Sequence, residues 1–336
     1  MSVRLPVFCL VMLVLSAVLC YTSLRTGSFN VSHETLMQAI FNYNPSEPEH
    51  IAVHELRLPR MLMALLAGAA LAFSGYLMQV LVSNPLADPY TLGTASGAAL
   101  GANIAFGGLV PVFIGGLFMP PFFAFIGAII STTIVMLLAK RSGGTDTGRL
   151  LLGGIAVSAL LNSLLSLLTF MSDSEGKLRT LIFWLMGSFD RAQWAHLPVV
   201  AGLLIPLLII FTLLHKHLTL MLLGEDRARL LGLNLKNLQL IILAGAALAT
   251  AVTVSVAGVI GFAGLLVPHA VRGMFGVSGR WNLMLSAWLG GLFMVGADTL
   301  ARMVFPPAGI PVGIVTSFAG IPFFVYLLWH RSYRFN

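Results

Sequence analysis

Few side chains in this sequence could do chemistry on a substrate, and their arrangement argues against most of the usual kinds. His269 follows Pro268 in an apolar stretch, but no Ser, Cys or acidic partner motif accompanies it. A structural His fits better there than the base of an intramembrane hydrolase. The two cysteines, Cys9 and Cys20, share one apolar run, and no Cys or His cluster has metal-ligand spacing. Neither catalysis, metal binding nor redox chemistry is therefore expected of this chain. What stands out is a set of uncharged polar groups inside apolar runs. Ser158, Asn162, Ser166 and Thr169 recur at intervals of four, four and three, so they share one helix face. Such groups are costly in hydrocarbon unless paired or wet, and the stripe should line a lumen or meet another helix. Gln79, Thr250, Thr253, Thr316 and Ser317 are further uncharged polar residues in apolar surroundings.

The elements carrying these residues are apolar throughout. Of 336 residues, 58% are hydrophobic and 9% charged, with mean hydropathy +0.93. No stretch is polar enough to form the shell of a soluble protein, so the chain is an all-α polytopic membrane protein. About ten spans are expected, at 5–24, 60–82, 91–109, 119–139, 150–171, 195–214, 237–257, 259–275, 282–300 and 310–329. The first is long for a signal peptide, and Val18-Leu19-Cys20 lacks the small residue of a lipoprotein site. The eighth is interrupted by Gly258, Gly261, Gly264 and Pro268, as broken helices surrounded by protein can be. Gly93, Gly97 and Gly101 predict a small-residue groove on the third. Residues 1–336 read as one transmembrane domain.

With both termini in the cytoplasm, twelve Lys and Arg fall inside and seven outside, the orientation that the positive-inside rule favours. The basic balance thus reflects topology, and nucleic acid is not implied. Outside, residues 25–59 predict a short helix capped by Ser32. Inside, Asn84-Pro85-Leu86-Ala87-Asp88-Pro89 makes a tight turn, its prolines stopping the preceding helix. Also inside, Gly224-Glu225-Asp226-Arg227-Ala228-Arg229-Leu230-Leu231-Gly232 predicts a short helix along the membrane, either a partner-binding element or an ordinary linker. Arg57, Arg60 and Arg302 lie outside against the rule, so something must offset them. They either anchor helix ends and pair with local acids such as Glu55 and Asp298, or they meet a partner. A proton-driven carrier, the alternative to an ATP-driven one, usually bears an acid or His mid-span, and none is placed there.

Read together, Arg57-Leu58-Pro59-Arg60, Gly68-Ala69-Ala70-Leu71-Ala72, Ser74-Gly75 with Gln79, the Asn84–Pro89 turn, Trp184-Leu185-Met186-Gly187-Ser188 and the Gly224–Gly232 segment form an ordered series. It continues through Gly261-Phe262-Ala263-Gly264-Leu265-Leu266-Val267-Pro268-His269, Asp298-Thr299-Leu300-Ala301-Arg302 and Pro322-Phe323-Phe324. This conjunction resembles the permease family of bacterial ABC importers for iron-siderophores, haem and cobalamin, over essentially the whole chain. The resemblance implies ten helices, a second permease subunit (identical or not), two cytoplasmic ATPases and a periplasmic or lipid-anchored binding protein in the inner membrane. Ferric siderophore is the first expectation for cargo, being the commonest. It also implies that Arg57, Arg60 and Arg302 meet carboxylates of the binding protein, that Gly224–Gly232 seats in the ATPase, and that the Ser158 stripe faces the path. No Gly-rich Lys-Ser/Thr phosphate loop occurs, so ATP and Mg would belong to the partner ATPase. Two positions depart from the family pattern: Ser83 replaces a common basic residue, and Gly309 a common Glu before Ile310-Pro311-Val312-Gly313. The second removes a charge at the outer mouth.

Overall fold

The computed structural model describes residues 4–27, 29–107, 116–141, 144–172, 175–306 and 308–330. Its helices are α1 (Arg4–Arg25), α2 (His33–Phe41), α3 (Pro48–Ile51), α4 (Leu58–Val82), α5 (Thr94–Gly107), α6 (Met119–Ala139), α7 (Thr147–Phe170) and α8 (Glu175–Leu185). They continue as α9 (Leu197–Leu213), α10 (His215–Met221), α11 (Glu225–Leu230), α12 (Leu235–Ala257), α13 (Ala263–Phe275), α14 (Asn282–Val304) and α15 (Val312–His330). A π-helical segment, Ala52–Arg57, runs directly into α4, and a two-residue ribbon pairs Lys140–Arg141 with Gly144–Thr145.

Each predicted span coincides with a helix. Seven are long and apolar enough to cross a membrane by length and composition. The other three predicted ranges correspond to α5, α13 and α15. Of these, α13 has 13 residues, α5 is described over 14 as far as Gly107, and α15 over 19 (Val312–His330). The late starts of α5 and α13 have local causes. Before α5 the chain takes a 3₁₀ turn, Pro89–Leu92, that ends on Gly93 in the left-handed region. Before α13 the segment 258–262 is not helical, and Phe262 itself adopts φ +69°. Residues 108 and 109 of the predicted third span lie outside the described residues.

α4 is the central post. In its most apolar window 78% of residues are buried, against 17% for α1 and 22% for α7, which lie at the periphery. Small residues let other helices reach it. A Cβ on Gly75 would overlap the Gly264 carbonyl of α13, and one on Gly68 would overlap the Gly290 carbonyl of α14. The glycine groove predicted for the third span is real but shorter than expected. Gly97 and Gly101 meet the backbone of α6 at Gly127 and Phe123, whereas Gly93 lies before the helix. Apolar side chains then fill the core in two large parts. One joins Phe73 and Leu77 of α4 to Phe211 and Ile242, with Phe73 edge-on to Phe211 at 5.4 Å. The other joins Met63 to Val31, Leu36, Val200 and Met294. The predicted short outer helix is α2, whose Ser32 hydroxyl accepts from the Thr35 N–H at 3.1 Å and whose Leu36 and Ala39 enter the second part.

Because backbone, which cannot repack, faces Gly75, a Gly75→Val substitution is expected to destabilise the protein by about 1–3 kcal/mol or more. Gly202→Ala, with nothing within 4 Å of its Cβ, should be neutral. Thermal unfolding of both variants in detergent checks the contrast.

Candidate functional site

One end of the bundle concentrates charge around a single carboxylate. Asp298 of α14 is fully buried. Arg60 of α4 donates to it from Nε at 3.0 Å and from Nη2 at 2.8 Å, and Arg302, one turn along α14, donates from Nε at 3.2 Å. Arg60 also pairs with Asp190, which is exposed. Arg302 reaches back to the end of α1, donating to the carbonyls of Thr26 at 2.9 Å and Ser23 at 3.0 Å. Arg57 does the same from another side. Its Nη1 donates to Leu24 and Arg25 carbonyls at 3.0 and 2.9 Å, its Nη2 to the Phe29 carbonyl at 2.7 Å, and its guanidinium lies 4.7 Å from the Phe29 ring centre. The last turn of a helix leaves carbonyls without partners, and cations suit its negative end. Two arginines therefore close the C-terminus of α1. Of the two local acids weighed for these arginines, Asp298 is the partner. Glu55 instead meets His54 at 2.9 Å.

Arg57, Arg60 and Arg302 line one cavity of about 270 Å³ together with Asp190 and Gly309. Gly309 adopts φ +68°. A side chain there would be strained, which gives a backbone reason for glycine where the family pattern has Glu.

The opposite end holds the other two groups. In the turn, the Asn84 side chain accepts from the Leu86 N–H at 2.9 Å, and Asp88 accepts from the Tyr90 N–H at 2.7 Å. Burial pushes the Asp88 carboxyl up to about 6, with the Tyr90 N–H acting against it. Pro85 and Pro89 flank the Leu86–Asp88 link, and Ser83 closes α4 at φ +50°. The Tyr90 hydroxyl donates to the Ile260 carbonyl at 3.0 Å and accepts from the Ile260 N–H at 3.2 Å. It thereby joins the turn to the break before α13. The predicted coupling segment is helical as α11, bracketed by Gly224 at φ +96° and Gly232 at φ +84°. Ala228 is buried in this chain's own core, while Leu230 and Leu231 are 88% and 59% exposed beside Arg227 and Arg229. The side chains of Glu225 and Asp226 lie outside the described set.

The Ser158 stripe is separate from both ends, on peripheral α7. Asn162 and Ser166 are exposed; Ser158 is half-buried near Gly93, and Thr169 accepts from the Asn103 side chain at 3.3 Å. The middle of the stripe is thus uncovered within this subunit.

Sequence reasoning missed three things here. Asp190 reads as a loop acid. Tyr90 carries no motif. Arg272 was counted as an inside charge at a span end, yet it is buried, pairs with the Gln79 side chain and lies 4.8 Å from the Tyr76 ring centre.

Long apolar helices packed on a central small-residue post, with short broken helices among them, make this a polytopic membrane protein. The chain belongs to the FecCD transport family, whose model matches residues 13–330. It is 40% identical over 319 residues to the hemin transport system permease HmuU of Yersinia pestis, covering 94% of this chain and 93% of that one. It is 38% identical over 296 residues to the cobalamin import permease BtuC of Halobacterium salinarum (88% and 78% covered). Against the iron(3+)-hydroxamate import permease FhuB of Bacillus subtilis it is 35% identical over 310 residues (91% and 79%). Among solved structures, an inward-facing metal-chelate type ABC transporter overlays with TM-score 0.82 at 30% identity, covering 97% of this chain and all of that one.

Removing a buried charge's partner strands the charge that remains. Asp298→Ala should therefore cost roughly 3–5 kcal/mol. Asp190→Ala, at an exposed pair, should cost under about 1 kcal/mol. Denaturant unfolding in mixed micelles distinguishes the two.

Proposed function

We propose that this chain is the transmembrane permease subunit of an ABC importer, forming with a second permease subunit a path for a metal chelate across the bacterial inner membrane. The full-length overlay on a metal-chelate type transporter carries the reading. Haem ranks first as cargo, on the 40% identity to a haem permease, ahead of ferric siderophore and cobalamin. Both termini lie in the cytoplasm, which puts the Arg60 end outside and the Asn84 end inside. ATP and Mg are bound by two partner ATPases, and this chain holds no cofactor of its own. The ion-gradient alternative is disfavoured by Asp298. A carboxylate clasped by two arginines is ill suited to carry protons.

Partner contacts follow from the same assignment. The binding protein docks on the outer cavity, where Arg60 exchanges Asp190 for a partner carboxylate through its planar fork. Arg57 and Arg302 hold α1 in place beneath it. The ATPase takes the exposed Leu230 and Leu231 of α11 in a groove, as short helices with one apolar face are taken. The uncovered middle of the Ser158–Thr169 stripe faces the path between the two permease subunits.

ATP-driven uptake into membrane vesicles carrying the full transporter tests the function. Hemin, a ferric hydroxamate and cobalamin are offered in turn, and accumulation of none would sink it. Leu230→Asp with Leu231→Asp should leave folding intact and abolish uptake and ATPase association. Normal uptake in that variant would remove α11 from coupling. Arg60→Gln should slow association of the binding protein about tenfold at low salt, with a smaller effect at high salt.

A further inference from the structure

α1, the least buried of the seven long spans, is tied to α14 at separated points. The Trp288 indole Nε1–H donates to the Ser16 hydroxyl at 3.0 Å, and Arg302 donates to the Ser23 carbonyl at 3.0 Å. Leu19 sits between these ties and lines an apolar groove of about 360 Å³, to which α13, α14 and α15 also contribute. On α14 the lining runs from Leu289 to Leu300. That is a rise of about 16 Å, so the groove is elongated along the span.

No described residue fills this groove, and water does not suit it. Every lining residue is apolar. Apolar cavities without polar partners stay dry, and one of about 150 Å³ accommodates a benzene ring. By the same measure this groove has room for hydrocarbon of roughly fourteen carbons. Gly296, which lines it, is a second and independent sign. Glycine inside a helix is less favourable than alanine and usually has a packing reason. Gly290 and Gly291 of the same helix have one, since a Cβ on either would come within 3 Å of a backbone carbonyl of α4. Among the described residues, a Cβ on Gly296 would approach only the Leu19 side chain, at 4.0 Å. The space beside it is left for something outside the chain.

The surroundings name the occupant. Leu15, Leu300 and Ala319 are exposed on the rim, and on α1 the groove passes directly into the exposed row Val11, Val14 and Val18. It is thus continuous with the surface that meets lipid. An unfilled void there would forfeit the van der Waals contacts that hold helices together in hydrocarbon. The lining ends two residues short of Arg302, in the half of the bundle nearer the Arg60 end. We propose that the groove is a binding site for one acyl chain of a phospholipid from the leaflet at that end, seated against Gly296 between α1 and α15. The tail completes the packing of α1. The inference needs only that the chain spans a bilayer, and it does not depend on the importer reading.

Photolabelling in lipid nanodiscs tests it. The full chain is reconstituted in phosphatidylethanolamine and phosphatidylglycerol, with a minor share of phosphatidylglycerol carrying a diazirine in its tail, and labelled residues are mapped by mass spectrometry. Lipid that merely surrounds the bundle should label Val14 and Val18 more than Leu15 and Leu19, because they are more exposed. A seated tail reverses that order, and the reversal is the expected result. It should be lost in Gly296→Phe and in Ala319→Phe, which fill the groove from different helices. It should persist in Gly202→Phe, which adds the same bulk where nothing lies within 4 Å. Thermal unfolding checks that the variants compared are folded, and the wild-type order decides by itself should a filled variant not fold. Label that follows exposure, a reversal that survives both filling substitutions, or Leu15 and Leu19 shielded by a second copy of the chain each overturns the site.

Discussion

The architecture depends on how closely other helices can approach α4. Without water in hydrocarbon, helices gain little from being apolar, and backbone proximity with mutual van der Waals contact takes over. Gly68 and Gly75 place the backbones of α14 and α13 directly on that of α4. Once those two are fixed, Arg60 on α4 and Asp298 on α14 come within bonding distance at one end, and Gln79 and Arg272 at the other. The polar contacts are thus consequences of the packing.

Each end of the bundle solves a different electrostatic problem. At the Arg60 end, α1 finishes with its last carbonyls facing an interior, and Arg57 and Arg302 supply the donors from α4's lead-in and from α14. Basic side chains at this end are thereby bonded to backbone carbonyls. At the Asn84 end the groups are satisfied locally, by side chains reaching two residues along the chain at Asn84 and Asp88. The first arrangement ties distant segments together, and the second shapes one turn.

Much of this was legible in the sequence. Apolar runs gave the helices, because hydropathy over twenty residues is a sum in which single errors cancel. Ser32 announced α2, since a cap acts on its own neighbours. Asn84 and Asp88 marked a turn for the same reason. What could not be read were interactions between residues far apart in the chain. Asp190 joins Arg60 across 130 positions and Tyr90 reaches Ile260 across 170, and neither pair leaves a local pattern. Arg272 was masked by a rule that explains any basic residue near a cytoplasmic end. The late start of α5 was hidden too, because an apolar run reads the same whether its first residues are helical or form the 3₁₀ turn that ends at Gly93.

The Tyr90 hydroxyl makes two hydrogen bonds to the backbone of one residue, donating to the carbonyl of Ile260 and accepting from its N–H. A single bond can swivel, but a pair to both sides of the same residue behaves as a brace that transmits push and pull. Any displacement of the Asn84–Pro89 turn must carry the kinked entry of α13 along with it or break both bonds together. Cross-bracing of this kind makes that part of the subunit stiff to small loads and lets it yield abruptly to large ones.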